Sequence, residues 1–453
     1  MKDNVIPERK DDLGKDHDKI KILFIGLSES THTQTWIDLL EGSQIERRLF
    51  ALQTGSPPDS WLVRTYITEL IKRKNSPTRE YLYNDFIARF RYIINSMTDA
   101  KTNKLKFTKA IIFLFTPQLN SFFSLFLGDK FAKNVRVDKF GAEIWLAHII
   151  KEWKPDIIHT LGLFDNQGGM FYYEVRKRNH LEGQGIWVHQ MRGGSDMALR
   201  RYDPASVDLI RQVLSECDQI ITDNYANIDY AAKLGIAKEK FASIVPVPGT
   251  GGIKVEDYDQ ESLIPPSKRE RSIFWPKAYE SHWSKGLPVL EAIRMAWDHI
   301  KPCEIYLLAV DQEVKSWVLT FSDEIRDHLH VIEIRIPHYQ VIEYLRRARV
   351  LLSPSLIDGV PNILYEAMAY GAFPIVSPLE TITPIVKQEE NVMFARNLHP
   401  EEISNALRRA MSDDLLVDGA AGRNITLVKK IANRQHVAKK ITEYYIGLIK
   451  EEL

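Results

Sequence analysis

The chain has 453 residues, enough for two or three domains. Its 60 lysines and arginines balance 60 aspartates and glutamates, so no global field draws it to nucleic acid. The two cysteines, Cys217 and Cys303, lie far apart, which argues against a disulfide framework or a cysteine metal site and suits a reducing cytosol.

The first nineteen residues are polar and charged, lack the apolar core of a signal peptide, and read as a disordered tail. Residues 20–27, IKILFIGL, form a continuous apolar run, the pattern of a strand buried on both faces. Ser and Thr residues at 28–33 suit the cap of a helix over 34–41, whose amides would face a ligand cleft. His32 either reaches that cleft or caps its own helix. The GxGxxG fingerprint of nicotinamide and flavin sites is absent. A second strand is expected over 45–53. The spacing of Leu62, Tyr66, Leu70, Phe86, Phe90 and Ile94 predicts helix through 61–97. Residues 110–128 then run for nineteen positions without a charge, between two groups of lysines. Pro117, Gln118 and Asn120 at their centre make a poor spanning helix. Two readings fit: a core helix pair, or an apolar hairpin whose basic rim docks on an anionic membrane surface.

Helix is expected over 140–153 and a strand over 154–160 with His159 at its end. Residues 166–170 open another helix, and 185–189 form a strand followed by QMRGGSD. Arg192 and Asp196 of that loop are expected to line a cleft, where Arg192 would meet a phosphate or an anionic acceptor. The alternative is an Arg–Asp pair that staples the loop. A strand over 217–222 and a helix over 224–235, capped by Asp223 or Asn224, come next. Residues 243–252 read as the last strand of the first domain and its exit. Pro265, Pro266 and a charge run place the domain boundary between 257 and 271. The second domain opens with a strand at 272–275, a loop, and a helix over 287–299. Lys285 lies just ahead of that helix, where the helix dipole repels a cation. That conflict points to an anionic ligand held by Lys285 and Lys277; solvated lysines are the plain alternative. Strands at 304–309 and 331–335 and a helix over 337–347 follow.

The stretch 353–378, SPSLIDGVPNILYEAMAYGAFPIVSP, organises the rest. A strand at 349–354 ends at Pro354, Asn362 opens a helix over 363–370 that Gly371 stops, and 372–377 is a second strand. This is one right-handed crossover of a parallel sheet. Its loop lies at the carboxyl end of a strand, where open α/β sheets bind ligands, and helix N-termini favour anions. Seven residues separate Asp358 in the loop from Glu366, about one turn inside the helix. Helices are then expected over 401–411 and 427–452.

This acid–x7–acid stretch, with Gly-x-Pro-Asn after its first acid and Glu-Ala-Met-Ala-x-Gly at its second, resembles the signature of retaining glycosyltransferases of family 4. The resemblance implies the α/β GT-B fold, two Rossmann-like doubly wound parallel-sheet domains facing across a cleft. It divides the chain into an acceptor domain at 20–260, a nucleotide-sugar domain at 261–430, and a final helix at 431–453 that crosses back. It implies that Asp358 and the backbone of Gly359, Val360, Pro361 and Asn362 contact the donor sugar and that Glu366 binds the ribose. Lys285, and Lys277 in place of an arginine, would grip the diphosphate. Arg192, Asp196 and His32 would line the acceptor side, and His338 resembles a position beside the nucleotide base. The chain departs from the pattern in several places. Asp358 replaces the usual Glu, the first loop lacks Gly-Gly, Gly193 stands where relatives carry His, and the loop after Ser377 lacks their Gly-Gly and Glu.

The implied reaction moves a sugar from a nucleoside diphosphate sugar to a hydroxyl with retention, without a protein nucleophile, a cofactor or a metal. Lysines would supply the metal's charge. The resemblance implies a sugar or lipid-linked acceptor, bacterial polysaccharide or glycoconjugate synthesis, and a cytoplasmic protein peripheral on the inner membrane face. Two rivals stand beside it: a non-catalytic GT-B module that binds a partner glycosyltransferase or a glycan, and a nucleotide-sugar epimerase.

Overall fold

The computed structural model describes residues 19–52, 57–58, 60–67, 137–163, 168–255, 263–332 and 336–452. The expected tail, most of the helical stretch over 61–97 and the apolar run 110–128 lie outside these residues.

Two six-stranded sheets carry the architecture. The first contains β1 (Ile20–Gly26), β2 (Ile45–Ala51), β3 (Arg64–Ile67), β4 (Ile157–Leu161), β5 (Ile186–Gln190) and β6 (Gln219–Ile221), in the order β3-β2-β1-β4-β5-β6. The second contains β7 (Glu270–Trp275), β8 (Glu304–Leu308), β9 (Leu329–Ile332), β10 (Ala348–Ser353), β11 (Phe373–Val376) and β12 (Met393–Phe394). Its order, β12-β11-β10-β7-β8-β9, repeats that of the first sheet. Every pairing is parallel. Parallel sheets need cover on both faces, and the strand centres are apolar to match: Ile22, Leu23, Phe24 and Ile25 are all fully buried. Strand order reverses beside β1 in one sheet and beside β7 in the other, the switch points where such folds bind ligands.

The covering helices of the first sheet include α1 (Thr31–Ile37), α2 (Val137–Trp153), α3 (Gly169–Asn179), α4 (Pro204–Glu216) and α5 (Tyr225–Lys233). Those of the second are α6 (Gly286–Ile300), α7 (His338–Arg347), α8 (Asn362–Tyr370), α9 (Pro400–Ser412) and α10 (Asp414–Ile431). In α6 the residues Val289, Ile293, Ala296 and Ile300 recur at helical spacing, and all are buried in one core with Leu407 and Met411 of α9. The last helix, α11 (Arg434–Glu452), returns to the first sheet. Its Val437, Ile441 and Tyr445 form one stripe buried with Trp36, Ile22 and Leu49. Among the described residues no helix is long and apolar enough to cross a membrane.

Several expectations fail for local reasons. The helical spacing at the start of 61–97 belongs instead to an edge strand, β3, in which Thr65 and Tyr66 are buried, while the neighbouring Leu62 is 71% exposed. A β-branched and an aromatic residue suit that place. The helix near 34–41 starts earlier and ends in a 3-10 turn at Asp38–Leu40; Ser30 precedes it without a side-chain cap. Residues 243–252 do not form a strand. They run beside β6 through Ala242 N–H to Ile220 O and Val247 N–H to Thr222 O, and Pro246 and Pro248 remove the donors a ladder needs. The helix expected over 427–452 is two helices. Between them the Ala432 carbonyl accepts from Ile253 N–H, and Arg434 N–H donates to Ile253 O. The two chain crossings between the domains are thus tied together. Gly252 permits it, with φ of +80° and a carbonyl 2.4 Å from where a Cβ would stand.

Candidate active site

The organising crossover forms as its residues dictate. β10 is buried along its whole length, Gly371 closes α8 in the left-handed conformation at φ +81°, and β11 pairs with β10 in parallel. Asp358 therefore leaves the carboxyl end of β10 and Glu366 sits on the buried side of α8. Loop 354–362 is pinned from behind. Thr381 Oγ1 donates to the carbonyls of Asp358 and Gly359 at 3.0 and 3.1 Å, and Leu356 N–H donates to Trp283 O at 2.8 Å. The loop after Ser377 thus shapes the Asp358 turn through Thr381, a role its sequence did not reveal.

This loop meets the first domain across a cavity of about 260 Å³. Its lining includes Ser30, His32, Thr33, Arg192 and Asp223 on one side and Asp358 to Asn362 on the other. The Arg192 side chain donates to Gln190 Oε1 at 3.1 Å, Thr33 Oγ1 at 3.1 Å and the His32 carbonyl at 3.4 Å. All three acceptors are neutral, so among the described residues the cation enters the cleft without a bonded carboxylate. Burial lowers its pKa to about 10, which leaves it charged at neutral pH. His32 is held below its ordinary value by desolvation in the cleft and then by Arg192. Asp196 does not line the cavity. It is buried, and its carboxyl accepts from the backbone amides of Arg192 at 2.6 Å and Leu163 at 3.1 Å. It holds the loop that presents Arg192, and burial raises its pKa to about 6.

Lys277 pairs with the Asp358 carboxylate, which brings one of the two expected lysines to the cavity edge. Lys285 pairs with Glu280 at 2.9 Å, and the other Glu280 oxygen accepts from Gly286 N–H at 2.9 Å. The dipole conflict at the start of α6 is thus answered by a side chain of this chain. Glu366 is nearly buried and bonds His338 Nε2 at 2.8 Å, an interaction that raises the His338 pKa. Asn362 reaches backward, its amide donating to Thr250 Oγ1 at 2.5 Å across the domain junction.

One residue of the cavity was not anticipated as part of the site. Asp223 follows β6, is 4% exposed, and takes a hydrogen bond from Asn224 Nδ2 at 2.6 Å. Gly359 of the opposite domain comes up against its carboxylate, where a Cβ would stand 2.5 Å from Oδ2. Burial, with Asp358 as a secondary like charge, raises its pKa to about 6. Its place just beyond a strand end was the available signal, but next to Asn224 it read as a helix cap. His159, expected at a strand end, is inside β4 and fully buried, with Nδ1 on the Tyr445 hydroxyl at 2.6 Å. Among the described residues no cluster of His, Cys, Asp and Glu could hold a metal ion.

A family model described as glycosyl transferases group 1 matches residues 283–413. No curated protein matches the chain. Solved structures do. Anabaena HepE, in complex with UDP and glucose, superposes with a TM-score of 0.59 at 10% identity, covering 94% of this chain and 98% of that one. A glycosyltransferase from Rickettsia africae gives 0.62 at 11% identity, covering 96% and 100%. Sucrose-phosphate synthase from Thermosynechococcus elongatus gives 0.61 at 14% identity, covering 96% and 100%. With its two parallel sheets of matching order facing across a cleft, the chain has the GT-B fold.

Proposed function

We propose that the chain is a retaining glycosyltransferase that moves a sugar from a nucleoside diphosphate sugar to a hydroxyl acceptor. The observation that carries this reading is the crossover at 349–377. It sets Asp358, the backbone of 359–362 with the N–H groups of Gly359, Val360 and Asn362, and Glu366 at the switch point of the second sheet, opposite Arg192 and His32 of the first. In the reaction the C1–O bond to the diphosphate breaks and a C1–O bond to the acceptor forms on the same face. The acceptor proton passes to an oxygen of the leaving phosphate. The protein's part is placement and charge. Glu366 holds the ribose, and Asp358 and the loop amides hold the sugar. Lys277, Lys285 and Arg192 offset the charge that grows on the diphosphate, where one well-placed donor contributes about 2.7–4 kcal/mol. These cations need no added metal to act. The neutral partners of Arg192 leave it free to meet a donor phosphate or an anionic acceptor. The charge-free run 110–128 between lysines supports a lipid-linked acceptor at a membrane surface, in polysaccharide or glycoconjugate synthesis on the cytoplasmic side.

The test is a thermal-shift screen against UDP, GDP, ADP, TDP and CMP, followed by turnover of the matching sugar donor. One diphosphate is expected to stabilise the protein by about 2.7 kcal/mol at a hundred times its dissociation constant. The gain should vanish in Glu366→Ala, and the product should keep the donor's anomeric configuration, with activity undiminished by a chelator. No response to any nucleotide would sink the reading and favour a non-catalytic module. An epimerase is the second reading, favoured by Asp223, Asp358 and His32, groups able to exchange protons in one cavity. Release of an epimerised sugar without any acceptor would establish it instead.

A further inference from the structure

A second cavity, about 380 Å³, lies behind the cleft at the domain junction and is larger than the cleft itself. Its walls come from residues 244–248, the ends of α10 and α11 that face each other, and the loop after β11. Val245, Pro246, Ile385, Leu427, Ile431 and Val437 make it apolar. Tyr225 on its lining is 49% exposed.

Its fixed charges lean basic, two lysines against one carboxylate. Lys430, His436 and Lys440 line it, and Asp223 is the one carboxylate among its lining residues. His436 and Lys440 are four apart on α11 and share a face. Lys440 Nζ spends one donor on the Ile244 carbonyl at 3.1 Å, which leaves two N–H groups. Neither Lys430 nor Lys440 has an ion-pair partner among the described residues. An anion with an apolar body would pair with the two lysines and cover the exposed wall.

We propose that this junction cavity is a binding site for a small amphiphilic anion, with an alkyl or isoprenoid-like body against Val245, Leu427 and Val437 and a phosphate or carboxylate head on Lys430 and Lys440. The site is separate from the donor site but shares one wall with it. Asp223 lines both cavities, so a ligand behind the cleft touches the residue that faces the Gly359–Val360 loop. Nothing in this assignment depends on the transferase chemistry.

The probe is n-octyl phosphate, titrated calorimetrically into the full chain below its micelle concentration, with inorganic phosphate as the control. Saturable binding of one probe per chain is expected, with inorganic phosphate far weaker. Lys430→Glu combined with Lys440→Glu should weaken the probe roughly tenfold or more. Val437→Trp should fill the hollow and abolish binding. The lysine pair is exposed, so its variant keeps the test decisive even if Val437→Trp misfolds. Absence of saturable binding, or equal affinity in the lysine variant, would overturn the site. Equal affinity for inorganic phosphate would overturn the amphiphile. Nucleotide response on the same preparations reports the cleft independently.

Discussion

A Cβ on Gly359 would stand 2.5 Å from the Asp223 Oδ2 and 2.8 Å from the Gly193 Cα. Here the two domains meet on glycine. Gly193 itself has a left-handed backbone, φ +58°, with open space where a Cβ would stand, so its conformation and not crowding favours glycine. Gly194 is similarly close, with the Asp358 backbone 3.0 Å from where its Cβ would be.

Gly359→Ala should therefore wedge the cleft open rather than unfold either sheet. Its cost is expected at about 1–3 kcal/mol, the usual range for overpacking. Nucleotide affinity should fall with it, since the loop amides move. Calorimetric binding of the nucleotide identified above, beside circular dichroism of the free protein, checks both.

Lys277→Ala leaves Asp358 without its cation and removes charge from the donor side. Turnover should drop by roughly a hundredfold to a thousandfold. Lys285→Ala should cost less, because Lys285 is engaged with Glu280. Steady-state rates of the two variants side by side decide the order; a larger loss in Lys285→Ala would reverse the assignment.

Asp223 gives a pH dependence with a definite sign. Its pKa rises from 3.8 in the unfolded chain to about 6 in the fold. The folded state therefore holds the proton more tightly, and its stabilising effect is complete below the unfolded value. It is lost as pH rises from about 4 to 6, at a cost on the order of 3 kcal/mol. Asp196 shifts the same way and adds to the same window. Asp223→Asn should flatten its share of that slope in urea denaturation at pH 4, 5, 6 and 7. An unchanged slope would show that Asp223 does not titrate there.

Tyr445→Phe removes the hydroxyl that satisfies His159 Nδ1, while His159 Nε2 already has no partner among the described residues. Burial holds the His159 pKa well below its usual value, so the ring stays neutral and cannot compensate by protonation. A loss of about 1–3 kcal/mol is expected, the cost of an unsatisfied buried group. Because Tyr445 is on the returning helix, chemical denaturation of this variant measures how firmly α11 holds the first domain.

Most of the parallel strands were legible in the sequence because each is a short apolar run bounded by turn residues, and burial on both faces demands that composition; the edge strand β3 and the two-residue β12 lack such a run and were not read. Asp358, Asn362 and Glu366 were legible because strand, loop and helix there are consecutive, so spacing alone fixes their relative places. The same local logic identified α11 as a helix but missed its break at 432–433, which depends on Ile253 from a distant crossing.

What only the tertiary structure decided is what the two domains do to each other. Asp223 read as a cap until the second sheet brought Gly359 against it. Asp196 read as a cleft residue until the folding of its loop turned the carboxyl onto two buried amides. Lys285 read as a phosphate ligand in conflict with a helix dipole, and Glu280 answers that conflict in space. The sequence determined the sheets and the donor loop because their forces act between near neighbours. It left open the cleft's far wall, where carboxylates, cations and glycines from separate sheets set one another's charge and shape.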